Sequence, residues 1–582
     1  MLWRIKNFKG IGTAEIDIRP GKATVLTGVN SSGKSSIIQS LLLVAQSLQN
    51  ENKMVLNGPL VRLGDAQDLV REGSERGAIE LGIGLEEDTG EESTKKEGLQ
   101  AIFDLVPADD RSTLRARRIR IGSPRDDQHS FEMGRENSRA SDVALAMEAT
   151  ADMGARDVLH LKSLLDSERR QLRTYVVVKG LRPVAVVQLM KPDVVAKRYR
   201  VLLDALLHER ETGSTKAATA ATARIGASAF IREFVRLLSQ PDGERNLNRR
   251  RFADARMGNP YAFDVEWGKL KSEERQALIE QAVGERKKHP YVVLPLGRST
   301  RNYGPATGLL ESQLVESLGP THEALNVLSS TLGKISDRVQ YLGPLRDEPR
   351  VVWNHWNELA RGLPVGTRGE YSAAVLSRWS ASPVRYAPPK SEMSGTVVAP
   401  LSEAVNQWLM YLEIGDAVAA RSHGKLGVGL DLRVNGQVRD LTSVGVGVSQ
   451  ALPLLVGLLT SPSNSMFIVE QPELHLHPAV QARLADFMLN ARPDLTLVIE
   501  THSESFVTRI RRRAAEGKID VADIDITFVE LGKDGSTARV LEMSQFGDLN
   551  EWPDGFLSAA EEDIRAIIQA NIQRSTAITN AN

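Results

Sequence analysis

Residues 28–35, with the sequence GVNSSGKS, constrain the fold of this chain more than any other segment. They match the pattern G-x-x-x-x-G-K-[ST] at every fixed position, where the glycines let successive backbone N–H groups point into one anion-sized hollow. An apolar run at 23–27 precedes the loop, and an apolar run with helical character at 36–48 follows it. The sequence therefore predicts a buried strand, a phosphate-binding loop and a helix whose amino end adds partial positive charge.

The residue types within this loop predict nucleotide binding. In such a loop the lysine, here Lys34, reaches the β- and γ-phosphates, and the hydroxyl of the following residue, Ser35, ligates Mg²⁺. The alternative is a chance match to a short pattern. The flanking strand and helix favour the functional interpretation.

Composition narrows the class of protein. The chain has 582 residues and no cysteine, which excludes disulfides, thiolate metal sites and cysteine nucleophiles. Lys and Arg number 73 and Asp and Glu number 74, so the balance gives no global sign of nucleic-acid binding. No apolar run reaches about 18 residues, and charged residues interrupt the first ten, so we expect neither a membrane span nor a signal peptide. A cytoplasmic protein is the expectation.

The order of patterns along the chain predicts an α/β head split by a long insertion. Helical patterns within the insertion lie at 141–150, 156–175, 197–211, 231–238 and 272–287. Strands and helices alternate after residue 465, which is typical of a parallel, buried sheet. The predicted division is a first ATPase lobe at 1–90, a mostly helical insertion at 91–335, a second lobe at 336–545 and a tail at 546–582.

Two apolar strands of the second lobe end in polar residues. The strand 466–470 (MFIVE) ends in Glu470, the position at which a carboxylate holds Mg²⁺ opposite the loop serine. The strand 495–500 runs into His502, a residue type that can bond a γ-phosphate or orient water. The alternatives are a surface acid and a core histidine. His475 and His477 do not by themselves predict zinc, because such a site needs three or four ligands.

A glycine-rich segment at 443–450 (SVGVGVSQ) precedes another predicted helix. Glycines and serine hydroxyls at a helix start form an anion-binding nest, although many such segments are only helix caps.

Taken together, these motifs resemble the ABC-type ATPase heads of the structural-maintenance (SMC), RecF and overcoming-lysogenization-defect group. The resemblance covers about 1–85 and 335–565 and leaves the insertion unmatched. The segments that carry it, in chain order, are IKNFK at 5–9, the phosphate-binding loop, YLGPLR at 341–346, SVGVGVSQ at 443–450, ELHLHP at 473–478, ETHS at 500–503 and FGDLNEWPDGF at 546–556.

The resemblance implies a P-loop fold, ATP and Mg²⁺ as ligands, and a head-to-head dimer that holds two ATP molecules at its interface. Metal ligation would fall to Ser35 and Glu470, and His502 would act as a switch histidine near the γ-phosphate. The segment carrying Ser443, Gly445 and Gly447 would complete the partner's site in trans. The residues expected to bind ATP are Asn7, Phe8, Gly28, Asn30, Ser32, Gly33, Lys34, Ser35 and Ser36.

One position departs from the pattern of related heads. They usually carry a carboxylate directly after the Mg²⁺ acid, whereas this chain has Gln471. A carboxamide can orient water but cannot accept its proton. We therefore expect slow hydrolysis, unless another group such as Glu473 serves as the base; the alternative role for Glu473 is to cap the following turn.

Two functions of different classes follow. The first is an ATPase that regulates a separately encoded effector, expected to be a nuclease, in bacterial antiphage defence or DNA maintenance. The second is a self-contained DNA-binding repair ATPase of the RecF kind, for which the arginine-rich segments 111–125 and 245–256 would contact phosphates. These arginines could equally form a solvated face balanced by nearby aspartates. A transporter ATPase is the least favoured alternative, because the chain carries a large insertion.

Overall fold

The structure is a computed structural model of the whole chain. No helix within its described part combines the length and apolar character needed to cross a bilayer. The residues that it describes are 1–49, 54–74, 77–85, 99–123, 126–135, 138–153, 157–162, 173–212, 227–238, 251–252, 254–255, 259–297, 309–353, 365–389, 395–551 and 566–571.

The strands are numbered in chain order. Their bounds are β1 Leu2–Phe8, β2 Ile11–Asp17, β3 Ala23–Thr27, β4 Ile79–Leu85, β5 Leu99–Pro107, β6 Leu114–Ser123, β7 Asp126–Gly134, β8 Asp157–Lys162, β9 Arg173–Lys179, β10 Arg182–Leu189, β11 Tyr291–Pro295, β12 Val339–Leu342, β13 Pro383–Tyr386, β14 Val397–Pro400, β15 Ala417–Ser422, β16 Val428–Val434, β17 Gln437–Asp440, β18 Met466–Glu470, β19 Thr496–Glu500, β20 Ile524–Gly532 and β21 Gly535–Leu541.

The α-helices are numbered in the same way. Their bounds are α1 Lys34–Gln49, α2 Ala140–Ala149, α3 Pro192–Thr212, α4 Ala227–Leu238, α5 Pro260–Gly268, α6 Ser272–Lys288, α7 Leu309–Leu318, α8 Pro320–Arg338, α9 Ser372–Trp379, α10 Leu401–Leu412, α11 Val446–Thr460, α12 Pro478–Asn490 and α13 Glu504–Ala515.

The chain divides into two compact units, of which the first contains residues 1–46, 56–83 and 335–582. Strands of this unit follow the order β4-β1-β2-β21-β20-β3-β19-β18-β12. The five from β20 to β12 pair in parallel, which confirms the sheet predicted from the alternating strands and helices. All five residues of β3 are buried, as expected for a strand covered on both faces.

The register of these parallel strands positions the candidate site. Glu470 of β18 pairs with Glu500 of β19, and Glu500 pairs with Leu26 of β3. Because parallel strands end at the same edge of a sheet, both carboxylates lie beside the phosphate-binding loop that follows β3. A continuous apolar core from β3, β18, β19, α11 and α12 supports this edge from behind.

The second unit contains residues 47–55 and 84–334. Strands β5 to β11 form an antiparallel meander in the order β11-β10-β9-β8-β7-β6-β5, accompanied by helices α2 to α8 up to Lys334. The expectation of a mostly helical insertion is wrong for its first half, between residues 99 and 189. Two segments of the insertion that carry no clear pattern, the charged stretch 86–98 and the Ala-rich stretch 213–224, lie outside the described residues.

The clearest error within this unit concerns the helix expected at 156–175. The structure instead has β8 over Asp157–Lys162 and β9 over Arg173–Lys179, which pair antiparallel with each other. Buried Leu159 and Leu161 lie on either side of the half-buried His160, and β9 carries β-branched valines that suit a strand. Long-range pairing with β9 and β10 therefore overrides the helical pattern of the local sequence.

Candidate nucleotide-binding site

The loop between β3 and α1 has the backbone that its glycines predict. Gly28 and Gly33 have φ values of 141° and 101°, which side-chain-bearing residues rarely adopt. A Cβ on Gly28 would also lie 2.2 Å from the carbonyl oxygen of Val529 on β20. Glycine is therefore required at position 28 both by conformation and by the close approach of the neighbouring strand.

Lys34 folds back over the loop. Its Nζ donates hydrogen bonds to the carbonyl oxygens of Gly28 (3.0 Å) and Val29 (2.7 Å) and lies 3.4 Å from the Ser32 hydroxyl. The side chain is buried, and this burial lowers the pKa of its ammonium group. The ammonium is thus held by weak, replaceable carbonyl partners at the position where a phosphate would bind.

Ser35 lies next to a carboxylate that the sequence did not single out. Its Oγ is 3.0 Å from Oε1 and 3.1 Å from Oε2 of Glu500, so the hydroxyl donates to this side chain rather than to Glu470. Glu500 is 2% exposed. The missed signal was an acid at the end of a second apolar strand, two residues before His502.

Glu470 occupies the end of β18, as predicted, and is 5% exposed. The Tyr341 hydroxyl donates to its Oε1 at 2.7 Å, and Nη2 of Arg346 donates to its backbone carbonyl at 3.3 Å. Both partners belong to the YLGPLR segment at 341–346. Burial and the adjacent Glu470 raise the pKa of Glu500 to about 8.

The donor set at this edge fits Mg²⁺. Carboxylate and hydroxyl oxygens are the ligands that this hard cation takes, usually together with phosphate oxygens and water. Ser35, Glu470 and Glu500 supply such oxygens within one buried cluster. Among the described residues, no group of three or more His, Cys, Asp or Glu side chains could hold a metal ion without such outside ligands.

A cavity of about 480 Å³ adjoins the strand ends. It brings together four residues that the sequence predicted for the site. They are Asn30 from the loop, Gln471 and Glu473 from the segment after β18, and His502 after β19.

Glu473 and His502 are directly linked. Oε1 of Glu473 accepts the backbone N–H of His502 at 2.8 Å, whereas its Oε2 is buried and has no hydrogen-bond partner. Burial raises the pKa of Glu473, and burial followed by the Lys34 charge lowers the pKa of His502. His502 Nε2 lies 4.0 Å from Oε1 of Glu500.

Gln471 has a strained backbone and a backbone contact with the next strand. Its φ is 44°, and its N–H donates to the carbonyl oxygen of Glu500 at 2.8 Å.

His477 accepts the N–H of Ala479 and caps α12, so one of the two neighbouring histidines has a structural role.

The resemblance also implies that Asn7 and Phe8 lie near the nucleotide base, and the two residues differ in exposure. Asn7 has a φ of 58°, and its Nδ2 lies 3.5 Å from the carbonyl oxygen of Ala78. Phe8 is fully buried. The arrangement is compatible with Asn7 near a base, whereas direct contact from Phe8 would require its exposure.

The predicted trans segment lies at the start of α11. Ser443 and Gly445 are exposed, and the Ser443 hydroxyl donates to Asp440 at 2.7 Å. A Cβ on Gly445 would meet nothing within 4 Å, and Gly447 packs beside Leu476. The segment is open to solvent, as a surface that meets a partner must be.

Three of the six arginines of the 111–125 segment form ion pairs with carboxylates, among them Arg120 with Asp104 at 3.7 Å. Arg118 contacts Asp104 at 2.9 Å and Glu132 at 3.3 Å, and Arg115 contacts Asp109 at 3.1 Å. These pairs support the interpretation as a charge-balanced face. Most of the second arginine-rich segment, 245–256, lies outside the described residues.

Comparison with known families gives a match to residues 304–508. The family is described as "AAA domain, putative AbiEii toxin, Type IV TA system". The matched part begins after the phosphate-binding loop and ends just past His502, so it contains Glu470, Glu473 and the trans segment. No curated protein matches the chain.

Several solved structures resemble the chain over most of its length, at low identity. The Smc head domain from Pyrococcus furiosus, bound to the C-terminal domain of ScpA, is 10% identical with a TM-score of 0.30, covering 93% of this chain and 96% of that one. An Smc head from Pyrococcus yayanosii gives 13% and 0.31, with coverages of 94% and 97%. The SMC head domain from Thermotoga maritima gives 9% and 0.30, with coverages of 93% and 98%.

The fold is assigned from the strand topology of this chain, and not from these low-identity matches. A phosphate-binding loop follows β3, and a parallel sheet places β19 between β3 and the strand that ends in Glu470. The fold class predicted from the motifs is thereby confirmed as a P-loop α/β fold, and residues 304–508 match the AAA-domain family described above.

Proposed function

We propose that this chain is an ATPase that binds ATP and Mg²⁺, pairs head to head with a second copy around the nucleotide, and regulates a separate effector. The observation that carries the proposal is the meeting of Lys34, Ser35 and Glu470 at one strand edge, beside a cavity of about 480 Å³. These are the groups that nucleotide binding requires.

Each group has a distinct task in this proposal. Lys34 would exchange its carbonyl partners for phosphate oxygens, and Ser35 and Glu470 would hold Mg²⁺, which when bound offsets the phosphate charge. Tyr341 fixes the orientation of Glu470 through its hydrogen bond at 2.7 Å. His502 faces the same cavity and is neutral at ordinary pH, so it can donate one hydrogen bond.

We assign the attacking water to Glu473. Its Oε1 is held by the His502 N–H, and its free Oε2 is the only buried, unpartnered oxygen among the described carboxylates that line the cavity. A fixed carboxylate with one free oxygen is suited to accept a proton from water. Gln471 would orient that water.

Nucleotide binding is tested with Lys34→Ala. Removing the loop's ammonium group should weaken ATP binding at least about tenfold, because charge-assisted bonds contribute roughly 1.5–3 kcal/mol each. Calorimetric titration with a non-hydrolysable analogue measures this. Lys425→Ala, which removes an exposed lysine, is the matched control. Equal affinity of Lys34→Ala and the parent would overturn the proposal.

Pairing of two heads is tested with Gly445→Glu. The position has room for a side chain and an ordinary backbone, so the variant should fold, yet it introduces an anion where a γ-phosphate is expected. ATP-dependent association in sedimentation should be lost while monomer binding remains. Gly268→Glu, an equally open glycine in the second unit, should associate like the parent. Identical sedimentation of Gly445→Glu and the parent contradicts the trans role.

The last part of the proposal concerns the effector protein and a role in bacterial defence. The description of the matched family, which names a toxin of a type IV toxin–antitoxin system, supports a role in bacterial defence. Purification of the native complex followed by mass spectrometry tests it. A stoichiometric nuclease supports regulation of an effector, whereas co-purifying nucleic acid alone supports the RecF-like alternative.

A further inference from the structure

Glu500 lies on the strand between the two elements of the proposed site. Strand β19 pairs with β3, which leads into the phosphate-binding loop, and with β18, which ends in Glu470. The register places Glu500 level with Glu470, and neighbouring strands lie about 4.8 Å apart. The two carboxylates are therefore side by side at the edge where the phosphates would bind.

The side chain of Glu500 contacts the phosphate-binding loop as well as Glu470. Both of its oxygens lie within 3.1 Å of the Ser35 hydroxyl, which has one proton to donate. While that proton is given to Glu500, the lone pairs of Ser35 Oγ stay available to a cation. The carboxylate and the hydroxyl thus present oxygen atoms from two different elements to one point.

The charge of this pair is poorly compensated by the protein. The hydroxyls of Ser35 and Tyr341 donate to the two carboxyl groups, which are also within hydrogen-bond contact of each other. The nearest ammonium, that of Lys34, is hydrogen-bonded to loop carbonyls. Two carboxylates that are 5% and 2% exposed require a cation for both to be ionised.

From this arrangement we infer that Glu500 is a second carboxylate ligand of the divalent cation, together with Ser35 and Glu470. The inference rests on the proposed ATP–Mg²⁺ function and adds a ligand that the motifs do not assign. A site with two carboxylates, a hydroxyl and phosphate oxygens offers more negative charge than one with a single acid. Glu500 should therefore raise the affinity for the cation more than the affinity for the nucleotide.

The test measures metal binding directly, without turnover. Mn²⁺ is titrated into the protein saturated with a non-hydrolysable ATP analogue, and free Mn²⁺ is followed by electron paramagnetic resonance. Glu500→Gln keeps the shape and the acceptor oxygen but removes the charge, so Mn²⁺ affinity should fall about 10–100-fold. Glu15→Gln, an exposed acid on β2, is the matched control and should bind Mn²⁺ like the parent.

A second variant guards against a folding defect. Glu500→Asp retains the charge, so it should bind Mn²⁺ more tightly than Glu500→Gln. Mn²⁺ affinity of Glu500→Gln within twofold of the parent would overturn the inference. Tighter binding by Glu500→Gln would overturn it as well, because Glu500 would then compete for Ser35 instead of ligating the cation.

Failure of the proposed function gives a different result. If the parent itself binds no nucleotide at any Mn²⁺ concentration, the ATPase proposal fails and Glu500 is not implicated. If the parent binds nucleotide and Mn²⁺, and Glu500→Gln binds nucleotide equally at saturating Mn²⁺ but needs at least tenfold more metal, both hold.

Discussion

Two buried carboxylate sites of the first unit have opposite surroundings. Asp486 on α12, 4% exposed, accepts from Arg513 at 2.6 and 2.9 Å, from Arg509 at 3.0 Å and from the Tyr411 hydroxyl at 2.7 Å. Glu470 and Glu500 are similarly buried, yet their carboxyl groups contact each other and the hydroxyls of Tyr341 and Ser35 instead of arginines.

The difference separates a structural site from a binding site. A bidentate arginine with a second arginine fully compensates the charge of Asp486, so nothing further is needed there. That cluster borders a cavity near the amino ends of the parallel strands, lined by Ala23 and Leu497 among others. The Glu470–Glu500 pair lies at the carboxyl ends, where ligands of such sheets bind, and lacks the matching cation.

The largest expected effect is the loss of turnover when Glu473, a buried acid of the candidate site, is changed. If its free oxygen is there to accept a proton from water, Glu473→Gln should reduce turnover by about 10²–10⁴-fold. Steady-state phosphate release measures it, and nucleotide affinity should stay near that of the parent. Gln471→Glu is the informative companion, because it should raise turnover only where Gln471 faces the water. Unchanged turnover in both variants would show that neither residue handles the water.

Asp486→Asn should have the next largest effect, and on stability instead of turnover. Removing this charge deprives the half-buried Arg509 and Arg513 of their common partner, although Arg513 keeps Glu516 at 2.6 Å, and should cost about 1.5–3 kcal/mol of the free energy of unfolding. Urea denaturation followed by circular dichroism measures the loss. Glu500→Gln is the opposing case, because it removes a like charge and should not destabilise the metal-free protein. Equal destabilisation by the two substitutions would remove the distinction between the sites.

The sequence predicted the strands of this edge and missed how they are arranged. Local signals were sufficient for β18 at Met466–Glu470, because an apolar run that ends in an acid marks its bounds. The order of strands in a parallel sheet depends on long-range pairing, which no local pattern encodes. The proximity of Glu500 to Ser35 follows only once β19 is known to lie beside β3.

In the insertion, too, local sequence predicted helices but not the pairing of strands. Helices such as Ser272–Lys288 were predicted within a residue, because their charged and apolar residues follow a helical period. The meander of β5 to β10 was missed, because its strands are separated by charged segments that interrupt the alternation. The strand Arg173–Lys179 is stabilised by partners on both sides, β8 and β10.

The pH dependence of turnover should follow Glu473. Burial raises its pKa above the ordinary value of 4.5, so the carboxylate able to accept a proton exists only above that raised pKa. Turnover should therefore fall as the pH falls, by about tenfold per unit below the pKa. Stability should change in the opposite sense, since the folded state binds this proton more tightly and loses stability as the pH rises through the same window. A Glu473→Gln variant with the same acidic limb as the parent would contradict the assignment.

The smallest expected effects come from two matched tyrosines. Tyr411 and Tyr341 each donate to a buried carboxylate at 2.7 Å, the first to Asp486 and the second to Glu470. Each change to phenylalanine should cost about 1 kcal/mol of unfolding free energy, the usual contribution of one hydrogen bond, or somewhat more for an ionised acceptor.

Metal binding is where these two variants should differ. Two arginines still hold Asp486 when Tyr411 is changed, so Tyr411→Phe should leave Mn²⁺ affinity at the parent's value. Tyr341→Phe removes the hydroxyl that orients Glu470 and should weaken Mn²⁺ binding several-fold, within the roughly 10–100-fold range seen for groups that position metal ligands. Equal Mn²⁺ affinity of the two variants would mean that Glu470 is held by the strand alone, because the contact that distinguishes it from Asp486 would then have no consequence for the cation.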